Sequence, residues 1–510
     1  MSLRKSTDNQ DKPLVGHFIN GSEFVGDGRT ADVFNPADGT VSKRVALAGE
    51  DVYQAAARAS AKAFPVWRST PPQKRAQVMF RFKRLLEENS DHICELITNE
   101  HGKVLDDARG ELTRGIEVVE YACGVSELLK GEFSKNAGPG IDSWSEFQPL
   151  GIVAGITPFN FPVMVPMWMF PLAIVCGNTF ILKPSERDPS ASIFIARLLS
   201  EAGLPDGVFN VVNGDKDTVD FILHDKRIQA VSFVGSTPIA EEIYKKGTSN
   251  GKRVQALGGA KNHAVIMPDA DLENAVSALM GAAYGSCGER CMAISVAVCV
   301  GDEISNKVVA SLKDRIKNLR IGPGTDISND MGPLITQEAY TRIQRYVEQG
   351  IEQGADLVVD GRNYQVEGHE DGFFVGGFLF DNVTQEMNIY TDEIFGPVLC
   401  IVRVDSLDEA MRLIDKHEYG NGTCIFTRDG GTARNFADNI QVGMVGVNVA
   451  LPVPVASQSF GGWKRSLFGD LYVYGPDAVR FYTRRKTMTQ RWPERNQAEE
   501  ARFAFPSSGS

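Results

Sequence analysis

At 510 residues, with 43% hydrophobic and 23% charged side chains, the chain is too long for one core, and its globular balance predicts two or three domains. A net charge of -12 and a pI near 5.3 exclude nucleic acid and an anionic membrane as main partners, while leaving room for a local basic pocket. Eight cysteines without a CxxC pair or a finger-spaced histidine exclude a zinc finger and a disulfide framework, so no metal is expected and a reducing compartment is.

From the start of the chain, Met1–Pro13 are polar and lack the apolar core of a signal peptide and the basic, serine-rich pattern of a transit peptide, so a cytoplasmic location is expected. Helical periodicity runs through Asp51–Phe64, Lys74–Glu88 and Arg109–Leu129, and the part before Leu150 reads as mostly helical. Phe133–Phe147 reads as strand outside any main sheet. From Gly151 to Gly259, the apolar runs Ile152–Ile156, Thr179–Leu182, Phe209–Val212, Ala230–Val234 and Val254–Leu257 alternate with helical stretches. That rhythm predicts βαβ units and a doubly wound parallel sheet, which binds ligands at the carboxyl ends of its strands. Phe161–Cys176 is the most apolar stretch, but Pro162, Pro166 and Pro171 interrupt it and it is too short to span a membrane. It reads as a packed helix after a turn.

Two strand ends carry candidate binding residues. Lys183-Pro184-Ser185-Glu186 follows one strand, and Gly235-Ser236-Thr237-Pro238 follows another. In the second, Thr237 suits an N-cap and Pro238 the first helical position, so backbone N–H groups would face an anion near Gly235. One glycine is a weaker signal than GxGxxG, and the plain alternative is architecture alone. A second α/β region runs from about Gly258 to Leu451, with glycine-rich turns at Gly322–Gly324, Gly372–Gly377 and Gly420–Gly422. Within it, Cys291 lies in Gly288-Glu289-Arg290-Cys291-Met292-Ala293. A neighbouring guanidinium should lower the thiol pKa, and the thiolate is the attacking form, so Cys291 is the candidate nucleophile; the plain alternative is a buried structural cysteine. Cys287 is close enough to form a redox pair with it, although a loop or a helical turn would bring the two together by chance. Ala478–Arg491 reads as a further outlying strand, and 494–510 as a flexible tail.

Cys291 and the turns at Lys183 and Gly235, taken with Thr157-Pro158-Phe159-Asn160-Phe161-Pro162, Leu257-Gly258-Gly259 and Glu393-Ile394-Phe395-Gly396-Pro397, resemble the aldehyde dehydrogenase superfamily over essentially the whole length. The resemblance implies an α/β fold in three parts: a Rossmann-like NAD domain (1–130 and 149–257), an α/β catalytic domain (258–455), and small β oligomerisation strands (131–148 and 470–493) that assemble a homotetramer or homodimer. It implies that Asn160 and the Cys291 backbone N–H form an oxyanion hole, where each donor contributes about 3 kcal/mol. It further implies that Phe159, Lys183, Glu186, Gly235, Ser236, Glu393 and Phe395 hold the cofactor, with Glu393 accepting ribose hydroxyls and Phe395 packing beside the nicotinamide. A carboxylate at Glu186 should repel a 2′-phosphate, which favours NAD over NADP.

Hydrolytic members of the superfamily carry a glutamate immediately before Leu-Gly-Gly, where this chain has Ala256. Without that base, worth about 10²–10⁴-fold, water is a poor acceptor and a thiol such as coenzyme A a better one. The departure, with Ala260-Lys261-Asn262-His263, Gly288–Ala293, Arg114–Glu120, Phe468-Gly469-Asp470-Leu471 and Phe481-Tyr482-Thr483, resembles the CoA-acylating methylmalonate-semialdehyde dehydrogenase branch. That branch carries glutamine where Glu289 stands, and a carboxylate there would oppose thiolate formation unless it points away or is paired. The resemblance implies NAD-linked oxidation of methylmalonate or malonate semialdehyde, with decarboxylation and acyl transfer to coenzyme A. Arg290 and Arg114 are the candidates to neutralise the substrate carboxylate, although Arg114 could equally be one of several arginines on a solvated helix face. Two alternatives stand beside this reading: a hydrolytic enzyme using Glu393 or Glu289 as its base, and a catalytically silent cofactor-binding protein.

Overall fold

Runs of β-branched and apolar residues spaced by amphipathic helices build two parallel sheets, each with its own core. The computed structural model describes residues 11–26 and 28–492; the tail expected at 494–510 lies outside them. In the first sheet, Arg253–Leu257, Ile228–Val234, Ile152–Ile156, Thr179–Lys183 and Phe209–Val211 lie parallel in that order, so the five expected strands are all present. Leu467–Phe468 closes one edge antiparallel, and His17–Ile19 with Ser22–Phe24 closes the other.

This second edge corrects the expectation of a mostly helical start. Residues 14–46 form short strands, and Asn20 and Gly21 (φ 53° and 79°) turn a hairpin there. An Asn-Gly pair with both residues left-handed matches the right-handed twist of the flanking strands.

The helix Met164–Val175 is buried along its entire length, as its nearly unbroken apolar sequence requires. It packs on the helix Leu105–Cys123, and the two approach so closely that a Cβ on Gly115 would stand 2.1 Å from Met167 Cε. The pair forms one wall of the site described below.

In the second sheet, Phe378–Asp381, Val398–Val404, Ile294–Val300, Asn262–Ile266, Gly422–Phe426 and Met444–Val447 are parallel, with Asp356–Val359 antiparallel at one edge. Gly422 therefore belongs to a strand of this sheet, and Gly420 to a separate short pairing of Tyr419–Gly420 with Trp463–Lys464, not to the expected turn: a side chain at Gly422 would collide with Met292, so the strand takes glycine for close packing. The short segment 258–261 links the two sheets, from the end of Arg253–Leu257 to the start of Asn262–Ile266.

Outside both sheets, Thr483–Arg491 pairs antiparallel with Ile141–Pro149, which pairs with Phe133–Gly138. The expected strand Ala478–Arg491 begins later than the pattern suggested, because Gly475–Phe481 is a helix. Pro476 occupies its first turn, and Ala478, Val479 and Phe481 are buried, the helix packing against Met164–Val175. No helix among the described residues is long and apolar enough to cross a membrane.

Candidate active site

Cys291 is presented by a loop between the helix Leu272–Tyr284 and the strand Ile294–Val300. Ser286, Cys287 and Gly288 all have positive φ (52°, 52° and 69°), which folds the loop back sharply. A Cβ on Gly288 would lie 2.2 Å from the Gly396 carbonyl, so this loop rests directly on the Glu393–Pro397 segment. Asn262 Nδ2 donates to the carbonyls of Cys291 and Ala293, each at 2.9 Å, and its Oδ1 accepts from the Gly422 N–H. Asn421 Nδ2 donates to the Cys291 carbonyl at 3.2 Å. Cys287 and Cys291 are both free thiols.

The expected lowering of the Cys291 pKa is not found. Burial pushes the thiol up to about 12, the nearby Glu393 charge adds to the shift, and the local backbone N–H groups and Arg290 only partly oppose it. Arg290 does not overcome the burial: its guanidinium turns to Asp107, at 2.5 Å, and to the Gly281 carbonyl. Asp107 also accepts the Ser286 N–H at 2.8 Å, so one carboxylate ties both ends of the loop.

Cys291 lines a cavity of about 400 Å³ with Arg290, Arg114, Phe161, Met164, Trp168 and other apolar groups. Both candidate carboxylate-binding arginines thus reach one cavity with the thiol. Arg114 donates to Glu117 at 2.7 Å and to the carbonyls of Val453 and Pro454, which removes it from the solvated-face alternative. Asn160, 3% exposed, sits between Phe161, which lines this cavity, and Phe159, which lines the cleft on the other side.

That cleft, about 500 Å³, gathers Phe159, Lys183, Glu186, Gly235 and Ser236 at the strand ends. Ser236 is the N-cap of the helix Thr237–Ser249, one residue earlier than expected. Thr237 is helical, and its hydroxyl accepts the Gly259 N–H at 2.8 Å. Lys183 and Glu186 pair at 3.0 Å. Burial works against the charge on Glu186, and Lys183, a backbone N–H and Arg187 outweigh it and hold the carboxyl below its ordinary value, so it stays anionic at neutral pH. Val219, Leu223 and Ile239 give the cleft an apolar wall, and the buried Thr157 Oγ1 beside it has no hydrogen-bond partner. These residues fit a dinucleotide.

Glu393 and Phe395 lie with Cys291 around a second, much smaller cavity. Phe395 (φ 58°) meets Phe159 edge-on, with ring centroids 5.9 Å apart, and so joins the cleft to the thiol. Glu393 Oε1 accepts the Ala260 N–H at 3.0 Å, and Gly259 leaves room for Oε2, which a Cβ would approach to 2.5 Å. Burial pushes this carboxyl up to about 7. Glu289 points away from the thiol: it is fully buried, its Oε2 accepts the Ile335 N–H, and burial pushes it up to about 8. It is thus protonated near neutrality and opposes the thiolate far less than a free carboxylate would.

The chain matches the model of the aldehyde dehydrogenase family over residues 24–488. It belongs to that family. It is 67% identical over 491 residues to the malonate-semialdehyde dehydrogenase of Pseudomonas aeruginosa, covering 96% of this chain and 99% of that protein. It is 46% identical over 495 residues to the acylating, mitochondrial methylmalonate-semialdehyde dehydrogenase of Arabidopsis thaliana, covering 97% of this chain and 81% of that one. A crystal structure from Sinorhizobium meliloti 1021, described as a putative methylmalonate-semialdehyde dehydrogenase complexed with NAD, superposes with a TM-score of 0.94 at 56% identity, covering 95% of this chain and 99% of that chain. Within this aldehyde dehydrogenase, Asp107, Asn262 and Asn421 support the nucleophile loop without having been singled out for it from sequence. Asn262 did stand in a quoted motif, but its partners are 29 and 31 residues away, and local sequence carries no signal for such contacts.

Proposed function

We propose that this chain is an NAD-dependent, CoA-acylating dehydrogenase of methylmalonate and malonate semialdehydes, yielding propionyl-CoA and acetyl-CoA. The observation that carries the reading is Ala256. It is fully buried in its strand, with a methyl group where hydrolytic relatives place the carboxylate that activates water. The names of the relatives agree with this assignment.

Arg290 and Arg114 receive the substrate carboxylate in the cavity beside Cys291. The Cys291 thiol gives up its proton, with Glu393 as the nearby acceptor, and Sγ bonds to the aldehyde carbon. The aldehyde oxygen becomes an oxyanion held by the Asn160 amide and the Cys291 N–H. NAD bound in the Lys183–Gly235 cleft supplies the hydride acceptor. Cys291 is left as a thioester, which the coenzyme A thiolate attacks; the new C–S bond forms as Cys291 departs as thiolate. The β-carboxylate leaves as carbon dioxide or bicarbonate, and a proton takes its place on carbon.

Glu289 is a poor candidate for a substitute hydrolytic base, since it lines neither cavity at Cys291. The unpaired cysteines suit a reducing compartment, and we place the enzyme in the cytoplasm, as a homotetramer or homodimer joined through the outlying three-stranded sheet.

The test follows NADH release from methylmalonate semialdehyde with coenzyme A omitted and then added. The expected result is a burst of one NADH per active site that becomes steady turnover only with coenzyme A. Sustained turnover without it would mean that water reaches the thioester and that the acylating assignment is wrong.

A further inference from the structure

Lys103 and Glu111 form a salt bridge of 2.8 Å between side chains that expose nothing to solvent. A buried ion pair is expensive to desolvate and gains little stability for the fold as a whole. What this one touches is therefore informative. Lys103 Nζ also donates to the Asn160 carbonyl at 2.5 Å and lies 4.4 Å from the centre of the Phe161 ring. Glu111 Oε1 accepts the N–H groups of Val163 and Met164 at 2.8 and 3.1 Å, the first orphan donors of the helix Met164–Val175. Its other oxygen holds Lys103. One ion pair thus grips the 160–164 segment at both ends, by three backbone atoms.

The same pair is tied to the second sheet's side of the molecule. Leu105 N–H donates to the Gly324 carbonyl, and a Cβ on Gly324 or Gly332 would lie 2.4 or 2.1 Å from the backbone oxygens of Lys103 or Gly102. The His101 ring rests 6.0 Å from that of Phe159. The 101–105 turn is consequently wedged between the part carrying Asn160 and the part carrying Cys291.

We infer that Lys103 and Glu111 are positioning residues for the oxyanion site: together they fix the backbone from which the Asn160 amide reaches the oxygen of the Cys291 adduct. The inference rests on the role of Asn160 given above. Neither residue touches substrate, and each acts through the 160–164 backbone. A misplacement of about 1 Å is enough to slow a reaction about 10²-fold.

The test is a double-mutant cycle read by the pre-steady-state NADH burst, comparing the native enzyme, Asn160→Ala, Lys103→Met with Glu111→Gln, and all three changes together. The paired change leaves no lone buried charge and retains an acceptor for the Val163 and Met164 N–H groups. The expected result is a burst slowed about 10²-fold by the paired change, with NAD affinity and the alkylation rate of Cys291 unchanged, and a triple variant within about threefold of Asn160→Ala, as non-additivity demands. Losses that multiply in the triple variant, or a paired variant with the native burst, would overturn the inference while leaving the role of Asn160 intact. A native burst from Asn160→Ala would remove that role itself. Lys103→Arg guards against misfolding of the paired variant: it keeps the charge but displaces the donor, and is expected to slow the burst with NAD affinity retained. A native burst from it would also overturn the inference.

Discussion

The thiol of Cys291 stands next to Arg290 in sequence, yet the guanidinium spends its hydrogen bonds on Asp107 and Gly281. With burial holding the thiol near 12 and Glu393 reinforcing it, the free enzyme carries the neutral thiol at pH 7. Because the thiolate is the reactive form, inactivation by iodoacetamide should accelerate about tenfold per pH unit from pH 7 to pH 9, as expected below a high pKa. A plateau near pH 7 would show that the thiolate already exists without ligands. Cys291, Asn160 and Glu393 stand out by residue type and motif, and the structure places Cys291 and Glu393 around one small cavity with Asn160 buried beside the neighbouring cleft. Asp107 was not legible in the sequence, because its partner Arg290 is 183 residues away. Nor was the direction of the Cys291 shift, which is set first by burial and then by the Glu393 charge, neither of which the adjacent Arg290 reveals.

Among elements, the strands of the first sheet were readable because a buried parallel strand is a continuous apolar run. Ends were harder: Ser236 and not Thr237 caps its helix, since either residue type suits the position and the Thr237 hydroxyl is engaged by Gly259. Residues 478–481, read as the start of the strand Ala478–Arg491, are helical within Gly475–Phe481, because packing against Met164–Val175 outweighs a short local pattern. The nucleophile loop makes a sharper demand. Gly288 is both left-handed and pressed on the Gly396 carbonyl, so Gly288→Ala should cost about 2 kcal/mol or more and diminish the burst amplitude. Thermal melting and single-turnover assays check this, and native values in both would show that the loop yields at no cost.

On the scale of the whole molecule, two large sheets with separate cores meet around Cys291, and among the described residues three smaller sheets stand outside them, one of them built from Phe133–Gly138, Ile141–Pro149 and Thr483–Arg491. Removing residues 483–510 would leave Ile141–Pro149 with Phe133–Gly138 as its remaining strand partner. If the proposed assembly runs through this sheet, the shortened chain should sediment with fewer subunits per particle than the full one, and an unchanged number of subunits would place the contact elsewhere. The segment joining the sheets has a further consequence. Gly259 makes room for Glu393, and the Ala260 N–H holds it. Lys261 clasps the carbonyls of Ile389 and Asp392, and Asn262 clasps those of Cys291 and Ala293. A chimera spliced from two parents inside residues 258–262 would inherit half a clasp from each, whereas a junction placed before Gly258 carries the clasp, the nucleophile loop and the Glu393 loop across as one cassette.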